Sequence, residues 1–271
     1  MAQIESTKDH AGKIIWVTGA SSGLGRSLVL ALAAQGHQVI ASARNKKELE
    51  TLQGYNKSIV ALPCDITDED SLKSVQKQIS VNYPCLDQVI LNAGTCEYLE
   101  FPEPDWSAIQ RVMQVNFFGT INALKTALPF LRKSTRARPH IVVIASQVTH
   151  APFAKAEAYG ASKAALQYFF SSLRIDLAPE NIDVSVINPG FIDTPLTRKN
   201  DFAMPFLMDV DEAARRVIKQ ISSTPRNYSF PKRLSALLLL SKIMPGVWQK
   251  LISRKTGKPA AKPMTNQDSN R

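Results

Sequence analysis

Lys13-Ile14-Ile15-Trp16-Val17-Thr18-Gly19-Ala20-Ser21-Ser22-Gly23-Leu24-Gly25 runs from an apolar stretch into a turn with three glycines and then into helix-forming residues. A short apolar run of this kind reads as a strand buried on both faces. Glycines at 19, 23 and 25 let the backbone turn tightly and come close to a pyrophosphate, which the free amides and dipole of the following helix favour. The spacing is Gly-x3-Gly-x-Gly, not the more common Gly-x-Gly-x2-Gly. Gly19, Ser21, Ser22, Gly23, Leu24 and Gly25 are therefore the candidate phosphate-facing turn. A bare strand-to-helix corner would need the same glycines, so the rest of the chain must decide.

Outward from this turn, strands and helices alternate. Strands are expected at Lys13–Thr18, Gln38–Ala43, Ile59–Pro63, Asp87–Leu91, His140–Ala145, Val184–Asn188 and Asn227–Phe230. Helices are expected at Leu24–Gln35, Lys46–Leu52, Asp68–Asn82, Ala156–Ala178 and Asp211–Ser222, with a long amphipathic segment over Trp106–Leu131. Such alternation implies right-handed β-α-β crossovers and a parallel sheet covered on both faces, a three-layer α/β/α arrangement. No linker composition or repeat divides the chain, so residues 1–255 read as a single domain with a core over 12–230. An amphipathic extension follows at 232–255, and the basic tail 256–271 is expected to be disordered.

With 44% apolar and 21% charged residues the chain is globular in composition. No apolar segment follows a basic start, and Leu234–Met244 is too short to span a bilayer. Cys64, Cys85 and Cys96 lack metal-ligand spacing and read as reduced thiols, so no metal site is read and a cytoplasmic protein is expected. The charge of +10 is lopsided: nine Lys and Arg but one acid, Asp268, lie from Lys232 onward. That charge is terminal and lacks a binding module, which speaks against nucleic acid. Two short basic amphipathic helices broken at Pro245-Gly246 are expected there. They would dock on the protein or a subunit interface, or rest weakly on an anionic membrane surface.

Tyr159 and Lys163 are four apart, the spacing that shares a helix face. An ammonium beside a phenol favours the phenolate, so a Tyr pKa lowered toward neutrality is expected, suited to moving a proton on a carbonyl or alcohol oxygen. The chain holds a decoy, Tyr228 and Lys232, but Pro231 between them breaks the shared-face argument. Past the second strand comes Arg44, with no acid from Gln38 to Lys47. An acid there would hold a ribose diol, whereas arginine suits a 2′-phosphate, so NADP(H) is preferred over NAD(H). Asp65, with Ile66 after it, is placed for an adenine, and Asn92-Ala93-Gly94 ends the fourth strand with small residues where a cofactor backbone could pass.

Taken with Asn116, Ser146 and Pro189-Gly190, these motifs resemble the short-chain dehydrogenase/reductase family over about residues 12–230. The resemblance implies a Rossmann-type doubly wound sheet and a homodimer or homotetramer. It implies hydride transfer between a nicotinamide and a small-molecule carbonyl or alcohol. Tyr159 would be the acid/base, Lys163 would lower its pKa and hold the nicotinamide ribose, Ser146 would bond the substrate oxygen, and Asn116 would hold a water relaying protons to Lys163. Ile192 and Thr194 would face the carboxamide and pyrophosphate. Cys96, Tyr98, Gln147, Phe191, Leu196, Phe202, Met204 and Phe206 are the expected pocket for a lipophilic substrate. The alternative is a silent NADP(H)-binding sensor or scaffold, against which the intact Ser146/Tyr159/Lys163 set argues.

Overall fold

The computed structural model describes residues 12–200 and 202–256. Seven strands, β1 Ile14–Thr18, β2 Gln38–Ser42, β3 Ile59–Ala61, β4 Gln88–Leu91, β5 His140–Ile144, β6 Asp183–Pro189 and β7 Asn227–Phe230, form one sheet in the order β3-β2-β1-β4-β5-β6-β7. Every neighbouring pair is parallel. Side chains alternate between two cores, as a strand buried on both faces demands. Ile15 and Val17 pack with α1 (Gly23–Ala34), α2 (Lys46–Tyr55) and α7 (Val210–Ile221). Trp16 faces the other way, toward α3 (Glu69–Asn82), α5 (Thr120–Leu131) and α6 (Glu157–Leu177), and its indole N–H donates to Ser42 Oγ at 2.9 Å.

The strand order reverses between β1 and β4, and in open α/β sheets ligands bind at the carboxyl ends of the strands beside such a switch. Helix starts near this edge differ in one respect. Asn45, Asp68 and Asp209 cap α2, α3 and α7 with their side chains, whereas Ser22 makes no side-chain cap to α1. The first turn of α1 thus keeps unpaired N–H groups for another acceptor.

The segment Trp106–Leu131 is not one regular helix. α4 (Ser107–Met113) passes through a π turn, Gln114–Gly119, into α5. The expected C-terminal helices are present as α8 (Lys232–Ile243) and α9 (Pro245–Thr256), broken at Pro245. Leu234, Leu238 and Trp248 are buried with Ala151, packed against Phe153, Phe191 and Ile252. The Trp248 indole donates to Pro152 O at 2.8 Å, and Ser235 Oγ donates to Gln147 Oε1 at 3.1 Å. Gly190 admits this docking, since a Cβ there would lie 2.6 Å from Leu234 Cδ2. No helix among the described residues is long and apolar enough to cross a membrane. Of the tail expected to be disordered, Thr256 ends α9 and 257–271 lie outside the described residues.

Candidate active site

The glycine turn is held from the end of β4. Asn92 Nδ2 donates to the carbonyls of Thr18 and Gly19 at 3.1 and 3.2 Å, and Thr18 Oγ1 accepts the amides of Asn92 and Ala93. Gly19 has φ +67°, and a Cβ on it would sit 2.7 Å from Ala93 Cα. Gly25 packs beneath the turn, where a Cβ would come within 2.2 Å of Gly19 O, and it does not line the cleft. A backbone cradle that admits no Cβ, next to an uncapped helix start, fits the pyrophosphate of a dinucleotide.

The cleft above this turn has a volume of about 420 Å³. Gly19, Ser21, Ser22, Gly23, Leu24, Arg44, Asp65, Ile66, Asn92, Ala93 and Gly94 line one part of it. Ser146, Tyr159, Lys163, Pro189, Gly190, Ile192, Thr194 and Leu196 line the other. Arg44 is exposed at the rim, and Asp65 Oδ1 accepts the backbone N–H and hydroxyl of Thr67. The Thr194 hydroxyl pairs with that of Thr197, which also donates to Ile192 O.

Lys163, buried on α6, donates from Nζ to Ile144 O at 2.9 Å, and its ammonium stands 5.8 Å from the centre of the Tyr159 ring. Ser146 follows β5 and begins a short 3-10 turn, Gln147–His150, its Oγ accepting Val148 N–H at 3.1 Å. The same hydroxyl faces the Tyr159 phenol and works to lower its pKa. Asn116 is fully buried on the π turn. Its Oδ1 accepts Thr95 N–H at 2.7 Å, and its Nδ2 donates to Thr95 O and Ser162 Oγ, both at 2.9 Å. A π turn at a functional position is a recurrent use of that irregularity. Its amide is occupied by these bonds, which tie the loop after β4 to α6, so it offers little to a water.

The expected acidic phenol is not what the site holds. Burial pushes Tyr159 up to about 12, against the lowering effect of Ser146, and burial brings Lys163 down to about 8. Desolvation penalises both charged forms and outweighs the attraction that spacing alone suggests. The decoy pair also brings its cation near a ring, Lys232 Nζ 5.4 Å from the Tyr228 centroid, but neither residue lines the cleft or the chamber beside it.

That second chamber, about 520 Å³, adjoins the cleft and shares Ser146, Tyr159, Gly190, Leu196 and Thr197 with it. Cys96, Tyr98, Gln147, Phe191, Leu196 and Phe202 line it as expected. Met204 and Phe206 do not. Met204 Sδ faces Asn200 Nδ2 at 3.2 Å, and Phe206 turns outward at a positive φ of 60°, 44% exposed. The sequence reading missed the outer wall, which comes from Phe153 and from Leu234, Leu237, Leu238, Trp248, Leu251 and Ile252 of α8 and α9. The leucine-rich face was the available signal, but only the fold shows that it turns toward Tyr159.

A parallel sheet with a glycine-cradled cleft at its switch point, meeting an apolar chamber at a Ser/Tyr/Lys set, defines a dinucleotide-binding α/β protein. A sequence profile described as short chain dehydrogenase matches residues 13–204. The chain belongs to the short-chain dehydrogenase/reductase family of NAD(P)-dependent oxidoreductases acting on CH–OH and C=O groups. It is 34% identical over 233 residues to an uncharacterized oxidoreductase of Myxococcus xanthus (strain DK1622), covering 84% of this chain and 91% of that one. It is 35% identical over 192 residues to an NADPH-dependent 1-acyldihydroxyacetone phosphate reductase of Schizosaccharomyces pombe, covering 70% of this chain and 63% of that one. A solved short-chain dehydrogenase from Streptomyces avermitilis superposes with a TM-score of 0.77 at 25% identity, over 91% of this chain and all of that one.

Proposed function

We propose that this chain is an NADP(H)-dependent oxidoreductase that interconverts a lipophilic carbonyl compound and its alcohol, with Tyr159 as acid/base. One observation carries the reading: Ser146 and Tyr159 stand in the wall that the glycine-turn cleft and the apolar chamber share. The glycine turn and the start of α1 would hold the pyrophosphate, Arg44 a 2′-phosphate, Asp65 and Ile66 the adenine, Lys163 the nicotinamide ribose, and Ile192 and Thr194 the carboxamide side. When bound, the nicotinamide supplies or accepts the hydride. A phenol with its pKa near 12 is protonated at neutral pH and ready to give its proton to a carbonyl oxygen. Ser146, whose oxygen is already held by Val148 N–H, keeps its own hydrogen for the phenol or the substrate oxygen. Asn116 positions the Thr95 loop beside Lys163, and any water relay there would rest on backbone groups. The relative whose name specifies NADPH supports the cofactor choice, as does the absence of an acid between Gln38 and Lys47.

The test is oxidation of NADPH and of NADH in the presence of a panel of aliphatic, steroidal and acyl-chain ketones and aldehydes. Turnover of apolar members with NADPH at lower KM than NADH is expected. No turnover of any member, with NADPH still bound, would instead support a silent binding protein.

Two contacts follow from exposed apolar groups. Leu237, Leu251 and Phe202 both line the chamber and are 38%, 54% and 41% exposed, so its mouth is rimmed by apolar side chains. Leu240, Ile243, Met244 and Val247 extend that rim beside Lys242 and Lys250, a composition suited to weak contact with an anionic lipid surface. Flotation with vesicles containing phosphatidylserine should recover the protein at low salt, and its absence from the lipid fraction would reject this contact. Elsewhere, Phe118 and Tyr168 are exposed beside Phe117 and Phe169, whose rings meet at 6.0 Å, a surface suited to self-association. Sedimentation equilibrium should return a dimer or tetramer, and Tyr168→Glu should shift it toward monomer.

A further inference from the structure

We infer that Gln167 is a positioning residue for the reaction, holding the Ser146 turn against the cofactor-facing end of β6. The inference rests on the reading of Ser146 and Tyr159 as the proton-transfer pair. Tyr159, Lys163 and Gln167 follow one another at four-residue steps on α6, so the third shares a face with the first two. The Gln167 amide donates to Thr149 Oγ1 and to Asn188 Oδ1, each at 2.6 Å, and lies 3.4 Å from Ser146 O. Thr149 in turn donates from its hydroxyl to Ser146 O at 2.9 Å. The bonds therefore run in one direction, from the Gln167 amide through the Thr149 hydroxyl to the backbone of Ser146.

Asn188 is buried, 4% exposed, and immediately precedes Pro189 and Gly190 in the cleft wall. One side chain thus joins three parts of the site: the helix with the acid/base, the turn with the oxygen-binding hydroxyl and the strand end facing the nicotinamide. Within the turn, Ser146 is held by Val148 N–H to its Oγ and by Thr149 Oγ1 to its carbonyl. Gln167 connects this 3-10 turn directly to the helix that carries Tyr159, while Ser235 and Ser241 of α8 hold the turn from its other side. Displacing reacting groups by a fraction of an ångström to an ångström is costly even when the chemistry is untouched.

The experiment compares wild type with Gln167→Met, which keeps length and removes both donors, and with Thr149→Val, which breaks the chain at its next bond. Steady-state rates with NADPH and a turned-over ketone are read alongside NADPH affinity by fluorescence and amide exchange over residues 145–150. Gln167→Met is expected to lower kcat roughly 10- to 100-fold. NADPH affinity should stay within about twofold, and exchange should rise at 145–150 but not along α6. Thr149→Val should reproduce this, and the double variant should lose little more than either single one, because both break one chain. Unchanged exchange at 145–150 would overturn the inference whether or not turnover is found, as would raised exchange with kcat within about twofold of wild type, or losses that add. If wild type turns over none of the panel, the functional reading falls, and with it the catalytic part of this inference.

Discussion

Lys163 and Tyr159 share one face of α6 with the ammonium 5.8 Å from the ring centroid, and burial works against the charge of each. The phenol proposed to move the proton is thus held neutral by burial. Tyr159→Phe removes the proton and little else, since the ring and its packing remain. Turnover should fall by about two to four orders of magnitude with thermal midpoint and NADPH affinity nearly unchanged. A variant retaining more than a few per cent of the wild-type rate would show that another group moves the proton.

Lys163 sets an upper pH limit. Its pKa, brought from 10.5 to about 8 by burial, means that the ammonium is present at neutrality and lost as pH rises past 8. The carbonyl-reducing rate should be level from pH 6 to 7.5 and decline above 8. A rate profile flat to pH 10 would contradict a role for the charged form.

Arg44 stands exposed at the cleft rim after β2. Arg44→Ala should raise the KM for NADPH about tenfold, consistent with one or two charge-assisted phosphate bonds, and leave that for NADH almost unchanged. Equal losses with both cofactors would assign Arg44 to something other than the 2′-phosphate.

His140 gives the fold an acid sensitivity remote from catalysis. At the start of β5 its ring lies between Gln88 Nε2 at 3.0 Å and Ser185 Oγ at 2.8 Å, and burial brings its pKa from 6.5 down to about 4. The unfolded chain takes up a proton near 6.5 that the folded protein refuses until about 4. Stability present above pH 6.5 is therefore lost as pH falls toward 4, by something on the order of 3 kcal/mol, and no further below that. Urea midpoints at pH 7.5 and 4.5 measure the loss, and His140→Gln should shrink it. An unchanged loss in that variant would move the effect to other groups.

The fold was legible because period and punctuation agreed. Ile15, Trp16 and Val17 read as a two-sided strand, and Gly19, Gly23 and Gly25 as a tight turn into a helix, because the alternation of the whole chain supported both. Tyr159 and Lys163 were legible as a pair through spacing, and Asn116 and Ser146 joined them through the family resemblance. What spacing could not convey was environment: the phenol was expected to be acidified, and burial, which depends on the whole fold, reversed that. Nor could it reveal the π turn under Asn116, because Gln114–Gly119 carries an ordinary helical pattern. The chamber was half legible. Phe206 looked like a pocket residue by composition, yet backbone geometry turns it out, while Trp248, in a segment expected only to dock somewhere on the protein, closes the chamber wall.

The docking of α8 and α9 has a consequence for how this enzyme can diversify. The residues proposed to transfer the proton lie within the matched stretch 13–204, whereas much of the chamber's outer wall is encoded after it, at 234–252. On the proposed function, side chains there could be exchanged to suit a new substrate without altering Ser146, Tyr159 or Lys163. That freedom is tethered to the serine turn by the bond from Ser235 to Gln147, next to Ser146, and by that from Ser241 to the His150 carbonyl. On the proposed function, a wall rebuilt without these bonds should change which substrates fit and, through the serine turn, the rate.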